Sequence, residues 1–212
     1  MLKHLYFLKS IGYEFHEPLN LLADDTTNLK LPNDIFSLKN SVENCYLCEL
    51  SKTRKKTVFA QGNVNSNIMF ISDYPGSLED ETGKLLVGRT GELVAKMVEN
   101  VLNIKKEDVY FANILKCKPG ENLNESSINL CKTYLLKQIE LVRPKIIVTL
   151  GQIAYKHLTN DDTTLTKIRG QSINYKEIVL FPTFHPSFLL RNPSSKKDAY
   201  MDMLKIKNLM ES

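Results

Sequence analysis

The chain has 212 residues, 42% hydrophobic and 25% charged, proportions that fit a folded protein with one good-sized core. No apolar run approaches the roughly 18 residues needed to cross a bilayer, which excludes a helical membrane span. Net charge is +4, from 28 basic and 24 acidic residues, a slight lean toward a polyanionic partner.

Residues 1–16 mix charge into their apolar positions and offer no small-residue cleavage site. They read as a short amphipathic segment rather than a signal peptide, and the expected location is the cytoplasm. The stretch 18–40 is polar, with Pro18, Pro32, Asp24-Asp25 and Thr26-Thr27, and reads as a linker or loosely wrapped arm. The expected organisation is an N-terminal extension over 1–40 and one domain over 41–212.

Short apolar runs rich in β-branched or aromatic residues predict strands over 67–72, 109–114, 145–150 and 177–182. Between them lie helical patterns. Residues 88–102 carry a stripe of Leu93, Val94, Met97, Val98 and Val101. A long amphipathic segment over 125–142 stops before Pro144, and further helices are predicted over 151–158 and 198–210. Strands alternating with helices imply right-handed crossovers. The predicted fold is therefore α/β, a three-layer α/β/α sandwich around a central, mostly parallel four-stranded sheet, with an N-terminal extension.

Ligands of such sheets bind beyond the carboxyl ends of the strands. The first predicted strand runs into Ser72-Asp73-Tyr74-Pro75-Gly76, the second ends at Asn113, the third leads into Gly151-Gln152, and the fourth into His185-Pro186-Ser187. A carboxylate, an amide and an imidazole would converge on one edge. His4, His16 and His157 lack such context and read as structural.

Four cysteines are present, Cys45 and Cys48 in CYLC, then Cys117 and Cys131. Two disulfides would need an oxidising compartment, and buried free thiols are common. The two-residue gap of the first pair favours metal ligation, and four thiolates serve zinc and iron–sulfur clusters alike. Basic residues cluster in SKTRKKT (51–57), at Lys116 and Lys118, and at Arg191, Lys196 and Lys197. They form either a solvated face or a phosphate footprint.

From about Cys45 to Leu209 the chain resembles the family-4, iron–sulfur uracil-DNA glycosylases. The resemblance rests on CxxC followed by QGN (61–63), the Pro-Gly loop after the first strand, TGKLLVGRTGEL (82–93), VYFANILKCKP (109–119), CKTYLLKQIELVRPKIIVTLG (131–151) and FPTFHPSFLLRNP (181–193). It implies a structural [4Fe–4S] cluster on Cys45, Cys48, Cys117 and Cys131. It implies an enzyme that flips uracil out of double- or single-stranded DNA and hydrolyses its N-glycosidic bond, leaving an abasic site for base-excision repair. Asn113 would read the base, His185 would stabilise charge on the departing uracil, and Asp73 would orient water or stabilise the sugar cation. Tyr74, Pro75, Gly76 and Leu86 would line the base pocket. Leu189 or Leu190 would wedge into the duplex from an exposed loop while Ser187 and Arg191 grip phosphates. No oligomerisation signal is visible, so a monomer is expected.

The match departs from the family where Gly-Glu-(Ala or Gly)-Pro-Gly is usual. Here Ser72 and Tyr74 introduce side chains, and Asp73 is one methylene shorter. Leu86 stands where a stacking phenylalanine is usual, and Tyr74 is a candidate to supply that lost aromatic surface. The alternative reading is a divergent member that binds uracil-containing or damaged DNA with weak or no excision or with altered base specificity. Residues 83–92 lack the inserted basic, histidine-bearing loop of self-crosslinking relatives, so ordinary turnover is expected.

Overall fold

The computed structural model describes residues 31–120 and 123–211. The segment expected over 1–16, with His4 and His16, lies outside the described residues, as does the expected linker up to residue 30.

Six strands form one sheet: β1 (Ala60–Gly62), β2 (Ile68–Ser72), β3 (Tyr110–Asn113), β4 (Ile146–Leu150), β5 (Ile173–Tyr175) and β6 (Ile178–Thr183). Their spatial order is β1-β3-β2-β4-β6-β5. The central four are parallel, as the alternating pattern requires, and β1 and β5 add antiparallel edges. Both edges were missing from the sequence reading. Each is three residues long and half-exposed, too short to carry a periodic signal. At Gly62 (φ 107°) a Cβ would lie 1.7 Å from the Val109 carbonyl oxygen, so the first edge can pair only with glycine there.

Alternation within the strands builds both cores. Met69, Ile71, Tyr110, Ala112, Ile147 and Leu180 face one layer, where Leu38, Leu135, Ala154 and Leu158 pack. Ile68, Phe70, Phe111, Val148 and Phe181 face the other, against Val94, Val98, Met203 and Ile206. The first layer holds helices α1 (Ile35–Glu43), α4 (Glu125–Val142) and α5 (Gln152–Thr159), and the second holds α3 (Gly88–Met97) and α8 (Lys196–Glu211). Helix α3 continues as a wider π turn over Val98–Leu102.

Helix α1 begins inside the stretch that reads as a linker and runs three residues past it. Asp34 caps it by accepting from the Ser37 N–H at 2.8 Å, and Leu38 and Val42 are buried. The apolar positions Ile35, Leu38 and Val42 share one face of a helix, a stripe diluted by the polar residues around it. Three shorter helices, α2 (Ser77–Thr82), α6 (Leu165–Ile168) and α7 (Pro186–Arg191), complete the described fold.

Candidate active site

Beyond the carboxyl ends of the parallel strands lies a cavity of about 350 Å³, lined among others by Ser72, Asp73, Tyr74, Leu86, Asn113 and His185. The strand ends are held in register past the sheet. The Ile114 N–H donates to the Ser72 carbonyl at 2.9 Å and the Leu115 N–H to the Asp73 carbonyl at 3.0 Å. Asn113, paired with Ser72 in the ladder, is 2% exposed. Its Nδ2 is buried without a hydrogen-bond partner, which leaves a free donor at the cavity wall.

Asp73 and His185 arrive from different strands. His185 follows β6 as the N-cap of α7, and its Nε2 stands 3.4 Å from Asp73 Oδ1. The Ser187 N–H donates to His185 Nδ1 at 3.1 Å, so the proton of the neutral ring sits on Nε2, facing Asp73. The Tyr74 N–H donates to Asp73 Oδ1 at 2.8 Å. Burial alone would raise the Asp73 carboxyl. The nearby His185 ring, with donors from Tyr74 and Ser72, outweighs it and holds the group below its usual value. Gly151 (φ 91°) makes room for this ring, since a Cβ there would lie 2.9 Å from His185 Cβ.

A family model described as the uracil DNA glycosylase superfamily matches residues 59–205. A type-4 uracil-DNA glycosylase of Sulfurisphaera tokodaii is 36% identical over 187 residues, covering 84% of this chain and 85% of that protein. The chain belongs to the uracil-DNA glycosylase superfamily. Type-4 members from Saccharolobus solfataricus (36% identical; 82% of this chain, 86% of that protein) and Thermotoga maritima (37%; 73% and 82%) agree on the branch.

In this member of the superfamily Tyr74, Gly76 and Leu86, three of the four residues expected to line the pocket, do line the cavity, and Pro75 does not. Tyr74 lines the cavity at 36% exposure, and Arg191 lies close enough to act on its hydroxyl electrostatically. Pro75 is buried beneath the rim, and Gly76 opens α2. Leu86 takes a left-handed conformation (φ 58°) beside Gly91, where a Cβ would lie 2.1 Å from the Leu86 carbonyl carbon. Glu79, which sequence reasoning missed, ties these turns together. Its Oε2 accepts from the Gly76 N–H and its Oε1 from the Leu86 N–H, each at 3.0 Å. Burial raises its carboxyl against both bonds. A Glu three residues after Gly76 was the available signal.

The segment expected as an exposed loop is helix α7. It buries Leu189 at 1% exposure among Phe184 and Ala199, while Leu190 is half-exposed and Arg191 exposed. Helical geometry turns adjacent residues about 100° apart, so one leucine packs inward and the other does not. Ser187 sits at the cavity, its hydroxyl 2.7 Å from His185 Nδ1. Phe188 stacks on Phe184 at 4.9 Å, and Arg169 covers the Phe184 ring while clamping the buried Asp202 at 2.8 and 3.2 Å. His157 is buried beside Glu125, consistent with a structural role.

All four cysteines line one small cavity on the α4 side of the sheet. Arg54 Nη1 donates to Cys117 Sγ at 3.3 Å, and the Lys116 N–H donates to Cys131 Sγ at 3.2 Å. Among the described residues, no group of three or more His, Cys, Asp or Glu is set to hold a metal ion. Burial pushes the Cys131 thiol up to about 12, so a thiolate persists there only when a cationic centre takes it. The donor set and its N–H···S contacts fit a thiolate-ligated centre. Lys116 is no surface cation, at 1% exposure. Its ammonium donates to the Asn113 backbone carbonyl at 2.8 Å and to Gln138 Oε1, and burial lowers it to about 7. Of the 51–57 cluster, Arg54 lies over the Tyr46 ring and Lys55 pairs with Glu81 at 2.8 Å.

Proposed function

We propose that this chain removes uracil from double- or single-stranded DNA by hydrolysing the N-glycosidic bond, leaving an abasic site for base-excision repair. The observation that carries the reading is the buried Asn113 amide with its unpartnered Nδ2. Its N–H donates to uracil O4 and its carbonyl accepts from N3–H. Cytosine presents the reverse pattern at both positions and leaves the amide unsatisfied, a strong basis for rejection.

Extrahelical capture of the base costs a few kcal/mol of unstacking, least for a mispaired uracil. Leu190 fills the vacated stack and Arg191 holds the phosphate backbone. As the glycosidic bond lengthens, negative charge moves onto uracil O2, where the His185 Nε2–H donates to it. Asp73, held ionised, aligns water and stabilises the cationic sugar. Glu79 keeps the Gly76 and Leu86 turns in place around the base.

Cys45, Cys48, Cys117 and Cys131 are the residues that hold a [4Fe–4S] cluster, which when bound braces the chain and takes no part in hydrolysis. The reading is of a cytoplasmic monomer; among the described residues no helix is long and apolar enough to cross a membrane.

The test incubates the full chain with a U:G duplex or a single-stranded uracil oligonucleotide, followed by alkali. Strand scission is expected from the natural chain and, from Asp73→Asn, at a rate lower by about 10²-fold or more. Scission no greater than that of Asp73→Asn would overturn the enzymatic reading and leave a uracil-binding protein.

A further inference from the structure

Ser72 has no part in the proposed reaction so far, yet its hydroxyl sits among the groups that carry it out. Ser72 Oγ lies 2.9 Å from His185 Nε2 and donates to Asp73 Oδ1 at 3.2 Å. The directions of these bonds are fixed. Because Nδ1 of His185 accepts from the Ser187 N–H, Nε2 is the donor to Ser72 Oγ, and the hydroxyl proton is left for Asp73. The hydrogen bonds on the Asp73 carboxylate, from Ser72 and Tyr74, both fall on Oδ1. Among the described residues Oδ2 receives no hydrogen bond from the protein, which leaves it for a water or the sugar.

We propose that Ser72 is a positioning residue for uracil excision: its hydroxyl fixes the Asp73 carboxylate with Oδ2 presented to the reacting centre, and by accepting from His185 Nε2–H it holds the ring in place until uracil O2 takes over that hydrogen bond. The inference rests on the function proposed above. It also accounts for two departures together. The motif that this loop resembles carries Gly-Glu, and this chain carries Ser72-Asp73. A carboxylate one methylene shorter has less reach, and a hydroxyl that glycine cannot supply anchors it. The titratable groups facing Asp73 are His185 at the start of α7, Tyr74 in its own loop and Glu79 of α2.

The experiment compares the full-length natural chain with Ser72→Ala by two measurements. In single-turnover uracil release across pH, Ser72→Ala is expected to be slower by roughly tenfold, the effect of one hydrogen bond to a charged group. Its acid limb is expected at higher pH, because a carboxylate that loses a donor protonates more readily. Carbon-13 titration of the Asp73 carboxyl, which needs no substrate, is expected to show the same upward shift of the midpoint. Melting temperature is the control for general damage. An unchanged rate, or a slowed rate with limb and midpoint unmoved, would overturn the proposal. If the natural chain releases no uracil, the functional reading fails, and the carbon-13 midpoints still decide whether Ser72 anchors the carboxylate.

Discussion

Asn113 carries the opposite of what a stable core wants. A buried amide donor without a partner costs about 1–3 kcal/mol, and nearly every buried polar group in a folded protein avoids that cost. The expected consequence is a split between stability and function at one position. Asn113→Leu, similar in volume, should leave the unfolding free energy unchanged or raise it by up to about 1 kcal/mol in chemical denaturation. The same variant should lose about 10²-fold or more in single-turnover uracil release, since the base then meets no donor at O4. A variant both destabilised and fully active would contradict the role given to this amide. Asn113 was legible in the sequence because it ends an apolar strand, where polar side chains have a cavity to face. Glu79 and Ser72 were not, because their importance lies in distances to Leu86 and His185 that no local pattern encodes.

At the scale of elements, α7 divides two adjacent leucines between two tasks. Leu189→Ala should cost about 2–4 kcal/mol of stability by opening a cavity beside Phe184 and Ala199. Leu190→Ala should change stability little. Its excision from duplex DNA should fall by about tenfold while excision from single strands holds, because only a stacked base needs displacing. Measuring both substrates for each variant checks the division, and equal losses on the two substrates for Leu190→Ala would refute the wedge. The central strands and α4 were readable from sequence because their apolar runs are long and their ends are marked, as at Pro144. Helix α7 was read as loop for want of length. Six residues hold under two turns, too few to display a period, and Pro186 at its start looks the same in a turn.

For the molecule as a whole, the four-cysteine centre and the base cavity lie on neighbouring parts of one segment. Cys117 is four residues past Asn113, and between them the Lys116 ammonium bonds the Asn113 backbone carbonyl. Gln138 of α4 carries the connection onward, bonding the Tyr110 hydroxyl at 3.0 Å and the Phe59 carbonyl at 3.3 Å. Removing a ligand should therefore be felt at both ends. For the proposed cluster, Cys48→Ala, or iron removal by oxidation and chelation, should abolish visible absorption, lower the melting temperature and weaken binding of free uracil measured by calorimetry. Retained uracil affinity in a colourless, destabilised protein would separate the two sites. Three-layer architecture followed from the alternation of strands and helices. This buried connection did not, because a lysine beside a cysteine in LKCKP reads equally well as a surface cation, and only its complete burial distinguishes the two.

Gly151 leaves the ring of His185 its place by having no side chain of its own. That constrains how the protein can change over generations. A replacement at 151 must overcome both a left-handed backbone and a collision with the His185 Cβ that carries the imidazole, so a saturation library at this codon should return glycine almost alone. Tyr74, half-open at the rim of the same cavity, faces no such wall. Drift in base preference should accumulate at 74, while 151 stays silent.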